Sequence, residues 1–278
     1  MLYSQTKRQD TENITSSSMR TTVSILLLIL TLTAVAQDYR TYCNNGIKYI
    51  SDRDYKKASE CFQKATELSS SEQERTYAYA NLAYSQQMCG EFEKALTSYN
   101  TAIDGDNKKI ALMLQRANIL LQLDSLESAL DDYNHILRQE PSNPSALFFR
   151  ASIYSDLDKY DKAKEDYLKL LSIEPNNNNV KLGLALLYKK EGKYNDSLTL
   201  LTLLIEDNPE IAEYYIARSN VERLMGHTEL ALMDVEKAIE LEPENGNHYT
   251  LQSILLERLG KKEAAKQSRF KAARLKSK

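Results

Sequence analysis

The chain of 278 residues has no tryptophan, 8 glycines, 5 prolines and 3 cysteines. So few helix breakers, together with 42% hydrophobic and 27% charged residues, indicate a folded and largely helical protein rather than a disordered one. The formal net charge of −3 does not provide the basic surface on which nucleic-acid binding depends. We therefore expect an all-α protein with no nucleic-acid partner.

Cys43, Cys61 and Cys89 do not form a CxxC pair, and an odd number of cysteines cannot complete a disulfide framework. We expect them to be small thiols that fill the core. A Cys43–Cys61 bridge between two neighbouring helices is the alternative.

The sequence also lacks the patterns that carry catalysis or bind metals. His135, His227 and His248 are scattered, and there is no HExxH, P-loop, GxGxxG or GxSxG pattern. The stretch DGDNKK (104–109) lacks the closing glutamate of a calcium loop and predicts a polar turn. We expect no cofactor, no metal and no small-molecule substrate; an enzyme with an unrecognised site is the least favoured hypothesis.

Residues 1–36 resemble a targeting segment. Met19-Arg20 precedes an apolar run from Val23 to Ala36 that ends in Ala-Val-Ala, as in secretory signal peptides. The run is shorter than the about 20 residues that a membrane-spanning helix needs. We expect Met19 to be the true start, cleavage after Ala36, and a location in the periplasm or cell envelope, with secretion as a variant. An uncleaved anchor is the alternative and would be the one route to membrane contact.

Three series of residues recur every 34 positions, which indicates internal repeats. A proline ends one helix of each unit, a small residue allows two helices to approach closely, and glycine or aspartate suits a left-handed turn between them. The series are Pro141, Pro175, Pro209 and Pro243; Ala95, Ala129, Ala163, Ser197, Ala231 and Ala265; and Gly90, Asp124, Asp158, Gly192, Gly226 and Gly260.

The repeating unit is therefore helix, tight turn, helix and loop, and Asn143-Pro144 has the residues of a helix start. The segments YDKAKEDYLKLLSIEP (160–175) and ELALMDVEKAIELEP (229–243) resemble the second helix of the tetratricopeptide repeat, and so do 55–68 and 92–103. The resemblance covers roughly residues 39–278 and points to an exported bacterial member of that family.

This resemblance implies an all-α, helical-hairpin repeat solenoid of about six repeats plus a C-terminal capping helix pair. The solenoid domain would cover 37–278, after the N-terminal segment 1–36. Its repeats are expected at 39–72, 76–109, 110–143, 144–177, 178–211 and 212–245, with the cap at 246–278.

The fifth repeat departs most from the pattern, because Ser197 replaces the alanine. Two other stretches also depart from it. The first step is 37 residues, and we place the three extra residues in a longer loop at SSSEQER (69–75). The last unit carries Arg269 where other repeats have a large side chain, and it ends in KQSRFKAARLKSK. This basic and polar end predicts a capping helix. Binding of nucleic acid or anionic lipid by the tail is a lesser alternative.

In the family, the first helices of the repeats line a concave groove that usually binds an extended segment of another protein. The lysine and asparagine set with which some members grip a chaperone's C-terminal carboxylate is missing, so a chaperone-tail receptor is disfavoured. For Leu114, Phe148, Leu182 and Ile216, we favour packing against neighbouring helices over ligand contact. The residues expected in the groove are Tyr77, Tyr84, Leu114, Asn118, Phe148, Ser152, Lys189, Asn220 and Arg223.

Arginine and aspartate co-occur sixteen residues apart in three repeats, and the corresponding positions of a fourth repeat are Leu184 and Leu200. A guanidinium group binds a carboxylate through two hydrogen bonds, so we interpret these residues as structural pairs between two helices rather than as a working site. The pairs are Arg116 with Asp132, Arg150 with Asp166, and Arg218 with Asp234.

From the sequence we expect a non-catalytic adaptor that binds a protein or extended peptide in its groove. The alternative is a permanent structural or assembly subunit of a cell-envelope complex. The identity of the partner does not follow from these residues, because one architecture hosts many functions.

Overall fold

The computed structural model describes residues 24, 31, 33–104 and 109–276, so most of the apolar run from Val23 and of the turn at 104–109 lies outside the described residues. Every regular element in the described part is an α-helix, beginning with α1 over residues 33–51. The others are α2 (Tyr55–Leu68), α3 (Glu72–Met88), α4 (Phe92–Ile103), α5 (Ile110–Gln122), α6 (Leu126–Gln139), α7 (Pro144–Asp156), α8 (Tyr160–Ile173), α9 (Asn178–Lys190), α10 (Tyr194–Asp207), α11 (Ala212–Met225), α12 (Thr228–Leu241), α13 (Gly246–Arg258) and α14 (Lys262–Lys276).

The helices pack as consecutive hairpins. The two helices of a hairpin contact each other, as α3 with α4 or α13 with α14, and the second helix also contacts the first helix of the next hairpin, as α12 with α13. The chain divides into two compact units, Met1–Asp132 and Tyr133–Lys278, with the boundary inside α6. The expectation of an all-α repeat solenoid is confirmed.

The turn within each hairpin has the left-handed backbone that the glycine and aspartate series predicts. At Gly192 the φ angle is +80° and at Asp158 it is +55°. Arg53 also has a positive φ, +59°, although the sequence pattern did not include it. The remaining members are Gly90, Asp124, Gly226 and Gly260, with φ between +54° and +87°.

The two helices of each hairpin cross where both side chains are small. All members of the alanine series are fully buried, as is Ser197, whose hydroxyl donates a 2.7 Å hydrogen bond to the carbonyl of Ala185. Ser219 donates a corresponding 2.8 Å bond to the carbonyl of Ala231 in the next hairpin. A buried serine hydroxyl is thus accommodated because a backbone carbonyl of the partner helix accepts its proton.

The predicted longer loop at 69–75 is wrong, because α3 already begins at Glu72. Ser71 caps this helix and accepts a 3.2 Å hydrogen bond from the backbone N–H of Glu74. The Glu74 carboxylate in turn accepts bonds from the N–H and hydroxyl of Ser70, which lower the pKa of the carboxyl group. The serine and glutamate residues that look like a polar loop therefore form a capped helix start.

Each of the three arginine–aspartate pairs is a two-pronged contact between the helices of one hairpin. The Nε and Nη2 atoms of Arg150 donate to the two carboxylate oxygens of Asp166, both at 2.7 Å. Asp166 is only 3% exposed. This hydrogen bond is the main reason that the pKa of Arg150 is raised. The other two pairs, Arg116 with Asp132 and Arg218 with Asp234, have corresponding distances of 2.5–2.9 Å.

The same arginines also form hydrogen bonds with side chains of the preceding hairpin. The sequence did not predict these contacts. The Nη1 atom of Arg150 donates a 2.8 Å bond to Asn134 on α6, and Arg116 donates a 2.9 Å bond to Asn100 on α4. Arg218 contacts Thr202 on α10 at 3.4 Å. Each arginine therefore links the second helices of two successive hairpins.

The loops between hairpins have a recurring cap. Asn143 and Asn177 each accept a bond from the backbone N–H three residues later, and their amides donate to Glu140 and Glu174. This arrangement stops one helix at the proline that follows the glutamate and starts the next at the asparagine.

All three cysteines lie within the described residues and none forms a disulfide; Cys43 is buried and Cys89 is exposed. No helix in the described stretches is both long and apolar enough to cross a membrane.

Candidate functional site

An open cavity of about 740 Å³ lies on the first helices of the N-terminal unit. Tyr77 and Ala80 of α3 and Leu112 of α5 form its apolar walls. Tyr77 is 45% exposed, so its ring is free to contact a ligand. The volume lies in the range of about 300–1,000 Å³ that is usual for ligand pockets.

Lys109 forms the polar side of this cavity. Its ammonium group donates 3.0 Å bonds to the hydroxyl of Thr76 and to the carbonyl of Ala102, and lies 3.8 Å from the carboxylate of Glu72. The two hydrogen bonds and the ion pair fix the ammonium group at the start of α5. The cavity therefore offers an apolar wall beside a rigid polar edge.

Tyr84 lies on the same face of α3, one helical turn beyond Ala80 and two turns beyond Tyr77. Its ring meets Tyr55 of α2 edge to face, with 6.3 Å between the ring centres, and it remains 36% exposed. Leu114 and Asn118 on α5 are half-buried. The face thus continues from the cavity as a mixed aromatic and polar surface.

Phe148 and Ser152, on the first helix of a hairpin in the C-terminal unit, are tied to the core. Phe148 meets Phe149 and Tyr167 edge to face at 5.6 and 6.0 Å, and Ser152 hydrogen-bonds the phenol of Tyr167. Burial raises the pKa of Tyr167 to about 12, which the Ser152 bond partly opposes. Both predicted groove residues therefore have a packing role, although Phe148 also lines a smaller cavity of about 290 Å³.

Lys189 and Arg223 occupy the same position on two successive first helices, α9 and α11. Burial, and then the charges of Lys190 and Arg223, lower the pKa of Lys189. Arg223 contacts the Asn220 amide oxygen at 3.5 Å, and its buried Nε has no hydrogen-bond partner among the described residues. Asn220 donates to the carbonyl of Ile216 at 3.0 Å. This part of the surface is cationic and partly desolvated.

No group of three metal-ligating side chains occurs within residues 33–104 and 109–276 or at the two other described positions. His227 contacts Glu222 at 2.7 Å, and the buried His248 lies 3.6 Å from Glu242. The two histidines lie in different hairpins.

Sequence reasoning missed Lys109, Thr76 and Leu112, which complete the cavity with Tyr77. Their positions in the repeat are known from the 34-residue step, but the step does not reveal that α3 begins early. That early start brings Glu72 and Ser71 to the edge of the cavity.

The comparisons agree with this architecture. A sequence model described as tetratricopeptide repeat matches residues 39–72, 144–177 and 212–245, which are three of the predicted repeats. A tetratricopeptide repeat protein from Parabacteroides merdae is 28% identical, with a TM-score of 0.78 over 86% of this chain and 93% of that one.

Two further solved structures are similar in fold alone. The Pseudomonas aeruginosa protein pilF is 20% identical, with a TM-score of 0.58 over 76% of this chain and 94% of that one. YrrB, described as a repeat protein with an unusual peptide-binding site, is 20% identical, with a TM-score of 0.54 over 73% and 99% of the two chains. No curated protein matches the chain significantly.

Proposed function

Because the chain belongs to the tetratricopeptide-repeat family, whose repeats in general serve as protein-interaction scaffolds, we propose that it is a non-catalytic adaptor for a protein or extended peptide. The cavity beside Tyr77 carries this proposal, because an exposed aromatic ring and the half-buried side chains of Ala80 and Leu112 border an open volume there. An aliphatic or aromatic side chain of the partner enters between Tyr77, Ala80 and Leu112. Lys109 and Thr76 lie beside the partner's backbone.

Charged side chains on the first helices of the C-terminal unit also suit the binding of a protein or peptide. Lys189 and Arg223 present two positive charges, and the buried Nε of Arg223 lacks an acceptor among the described residues. A carboxylate of the partner pairs with these two positive charges, and the Asn220 amide lies beside Arg223.

The test is site-specific photo-crosslinking in the native cells, with the photoreactive residue at position 77 and a matched control at the exposed Thr97 on the second helix of the same hairpin. We expect a discrete product from position 77 and none from position 97. The captured segment, made as a peptide, should bind Tyr77→Ala at least about tenfold more weakly than wild type, as an interface hot spot does. Identical products from both positions, or equal affinity of the variant, would show that the cavity is not the binding site.

The alternative, a permanent subunit of an envelope complex, predicts a different behaviour. Such a subunit remains in a stoichiometric assembly through salt washing and purification, whereas an adaptor is recovered alone as a monomer. Size-exclusion chromatography of the native extract distinguishes the two hypotheses, because the protein elutes either with a large assembly or as a monomer.

We propose further that the protein is exported, on the evidence of the basic start and apolar run before Ala36. The intact mass of the native protein tests this. Cleavage after Ala36 gives a mature chain that begins at Gln37, and a mass that includes the apolar run contradicts it.

A further inference from the structure

Phe270 on α14 has the highest exposure, 72%, of the large apolar side chains in the described part of the chain. The opposite side of α14 is buried through Ala265, Ser268 and Ala272, where the helix packs on α13. Phe270 therefore projects from the centre of the outward face of the last described helix.

The repeat register shows what this position does in earlier hairpins. Five earlier second helices have an equivalent of Phe270. Three of these residues, Asn100, Asn134 and Thr202, accept a hydrogen bond from the arginine on the first helix of the following hairpin. The other two, Leu168 and Glu236, are exposed. The position of Phe270 therefore lies at the edge of the surface that contacts the next hairpin.

The neighbours of this position are packed in the same way. On α12, Leu232 is 6% exposed and Ile239 is partly buried, and both belong to the cluster that includes Leu255 and Leu256 of α13. On α10, Leu198 and Ile205 have the same places and pack in the cluster that contains Tyr214 of α11. The second helix of a hairpin therefore packs on the next helix through these two positions, which on α14 are Lys266 and Ala273, on either side of Phe270.

The exposed face of α14 around Phe270 is strongly cationic. Three exposed basic residues share one row of the helix with Phe270. Lys262 lies eight residues before it, Lys266 four before it, and Arg274 four after it. Across Lys262–Lys276 there are six basic residues and one acidic residue, Glu263, which gives a formal charge of +5. The whole chain has a charge of −3, so the charge of the rest is −8.

We propose that Lys266, Phe270 and Ala273 form a docking face for an acidic amphipathic helix of another protein. That helix takes the place of the next first helix: an aliphatic side chain covers Phe270 and Ala273, and carboxylates on its flanks meet Lys262, Lys266 and Arg274. Charge decides between occupants, because a second copy of α14 brings like charges together. A lipid surface fits less well, since interfacial helices bury several large apolar side chains and this face has one.

The docking face is separate from the surface around Tyr77, so the two proposals are tested independently. The probe is a fluorescein-labelled, 21-residue synthetic helix with leucine along one face and glutamate elsewhere. Its control has lysine at every glutamate position. Fluorescence anisotropy with the full chain at physiological ionic strength measures both affinities.

We expect saturable binding of the glutamate probe and at least about tenfold weaker binding of the lysine control. Phe270→Ala and Lys266→Glu should each weaken the glutamate probe at least about tenfold. Met233→Ala removes another highly exposed apolar side chain, at 64% exposure on α12, and should leave the affinity unchanged. Thermal melting of each variant establishes that the fold is intact.

Several results overturn the proposal. These are no saturable binding of the glutamate probe, equal affinity for the two probes, and unchanged affinity of Phe270→Ala. Sedimentation that shows a dimer which Phe270→Ala converts to monomers would assign the face to a second copy. Vesicles of phosphatidylglycerol that bind the chain through Phe270, when the glutamate probe does not, would assign it to a membrane surface.

Discussion

Arg53 adopts a left-handed backbone, with φ of +59°, in the turn between α1 and α2. A side chain in this conformation costs about 1–2 kcal/mol, and glycine avoids most of that cost while losing more entropy on folding. We expect Arg53→Gly to raise the free energy of unfolding by about 0.5–1 kcal/mol, measured by urea denaturation.

Gly192 is the matched control for this prediction. Its φ is +80°, and a Cβ added there meets nothing within 4 Å. Gly192→Ala should therefore lower the free energy of unfolding by about 1 kcal/mol through backbone strain alone. A loss of stability in Arg53→Gly would contradict the conformational argument and point to a contact of the arginine side chain.

Tyr99 and Tyr167 are almost completely buried, and burial raises the pKa of each to about 12. The raised pKa means that these phenols stabilise the fold fully below the unfolded-state pKa of about 10. That contribution is lost as the pH rises from about 10 to about 12, by roughly 2 kcal/mol for each ring.

Urea denaturation of wild type and Tyr167→Phe at a series of alkaline pH values measures this loss. The variant should lose less stability than wild type over the same pH range, because phenylalanine has no proton to release. Parallel pH profiles would mean that Tyr167 ionises in the folded state without cost.

At the scale of the hairpin, the Arg150–Asp166 contact illustrates the cost of an unpaired buried charge. Removing one partner from a buried pair costs about 3–5 kcal/mol, because the other charge stays desolvated. We expect Asp166→Ala to lose that much free energy of unfolding, while binding at the surface around Tyr77 is retained. The measurement is urea denaturation.

The chain itself offers the control, because Leu184 and Leu200 occupy the same two positions in the hairpin of α9 and α10. Leu184 is 3% exposed and Leu200 is partly buried. The double variant Arg150→Leu/Asp166→Leu should therefore lose at least about 1 kcal/mol less than Asp166→Ala. An unchanged urea midpoint in Asp166→Ala would show that the pair is not structural.

The helices and turns of the hairpins follow largely from the sequence. The residues Asn143-Pro144 start α7 as predicted, and the glycine and aspartate series has the expected positive φ angles. The start of α3 was mispredicted, because serine and glutamate favour both loops and helix caps.

The candidate site was less predictable than the fold. The register places Tyr77 and Phe148 on the same side of a first helix, yet Tyr77 is 45% exposed whereas Phe148 packs on Tyr167 of α8. The difference lies in contacts with neighbouring helices, which the 34-residue step does not encode. Likewise, the bond from Arg150 to Asn134 joins two repeats, and a search within one repeat cannot find it.

At the scale of the whole molecule, stability should be local. In a repeat architecture each unit contacts mainly its neighbours, so a lesion affects its own hairpin most. Asp166→Ala should speed amide hydrogen exchange in α7 and α8 at least about tenfold and leave α13 and α14 unchanged. Mass spectrometry of exchanged peptides measures this, and an equal acceleration in all four helices would indicate a single cooperative block.

The arginines that link two successive hairpins restrict how such a gene can gain or lose copies. Excision of residues 144–177 would join Asn134 to the hairpin of Leu184, and excision of 178–211 would set Leu168 beside Arg218. Either recombination leaves a polar group without its hydrogen-bond partner at the new junction. Repeats of equal length are thus not interchangeable, because the contacts between two hairpins depend on the order of the copies.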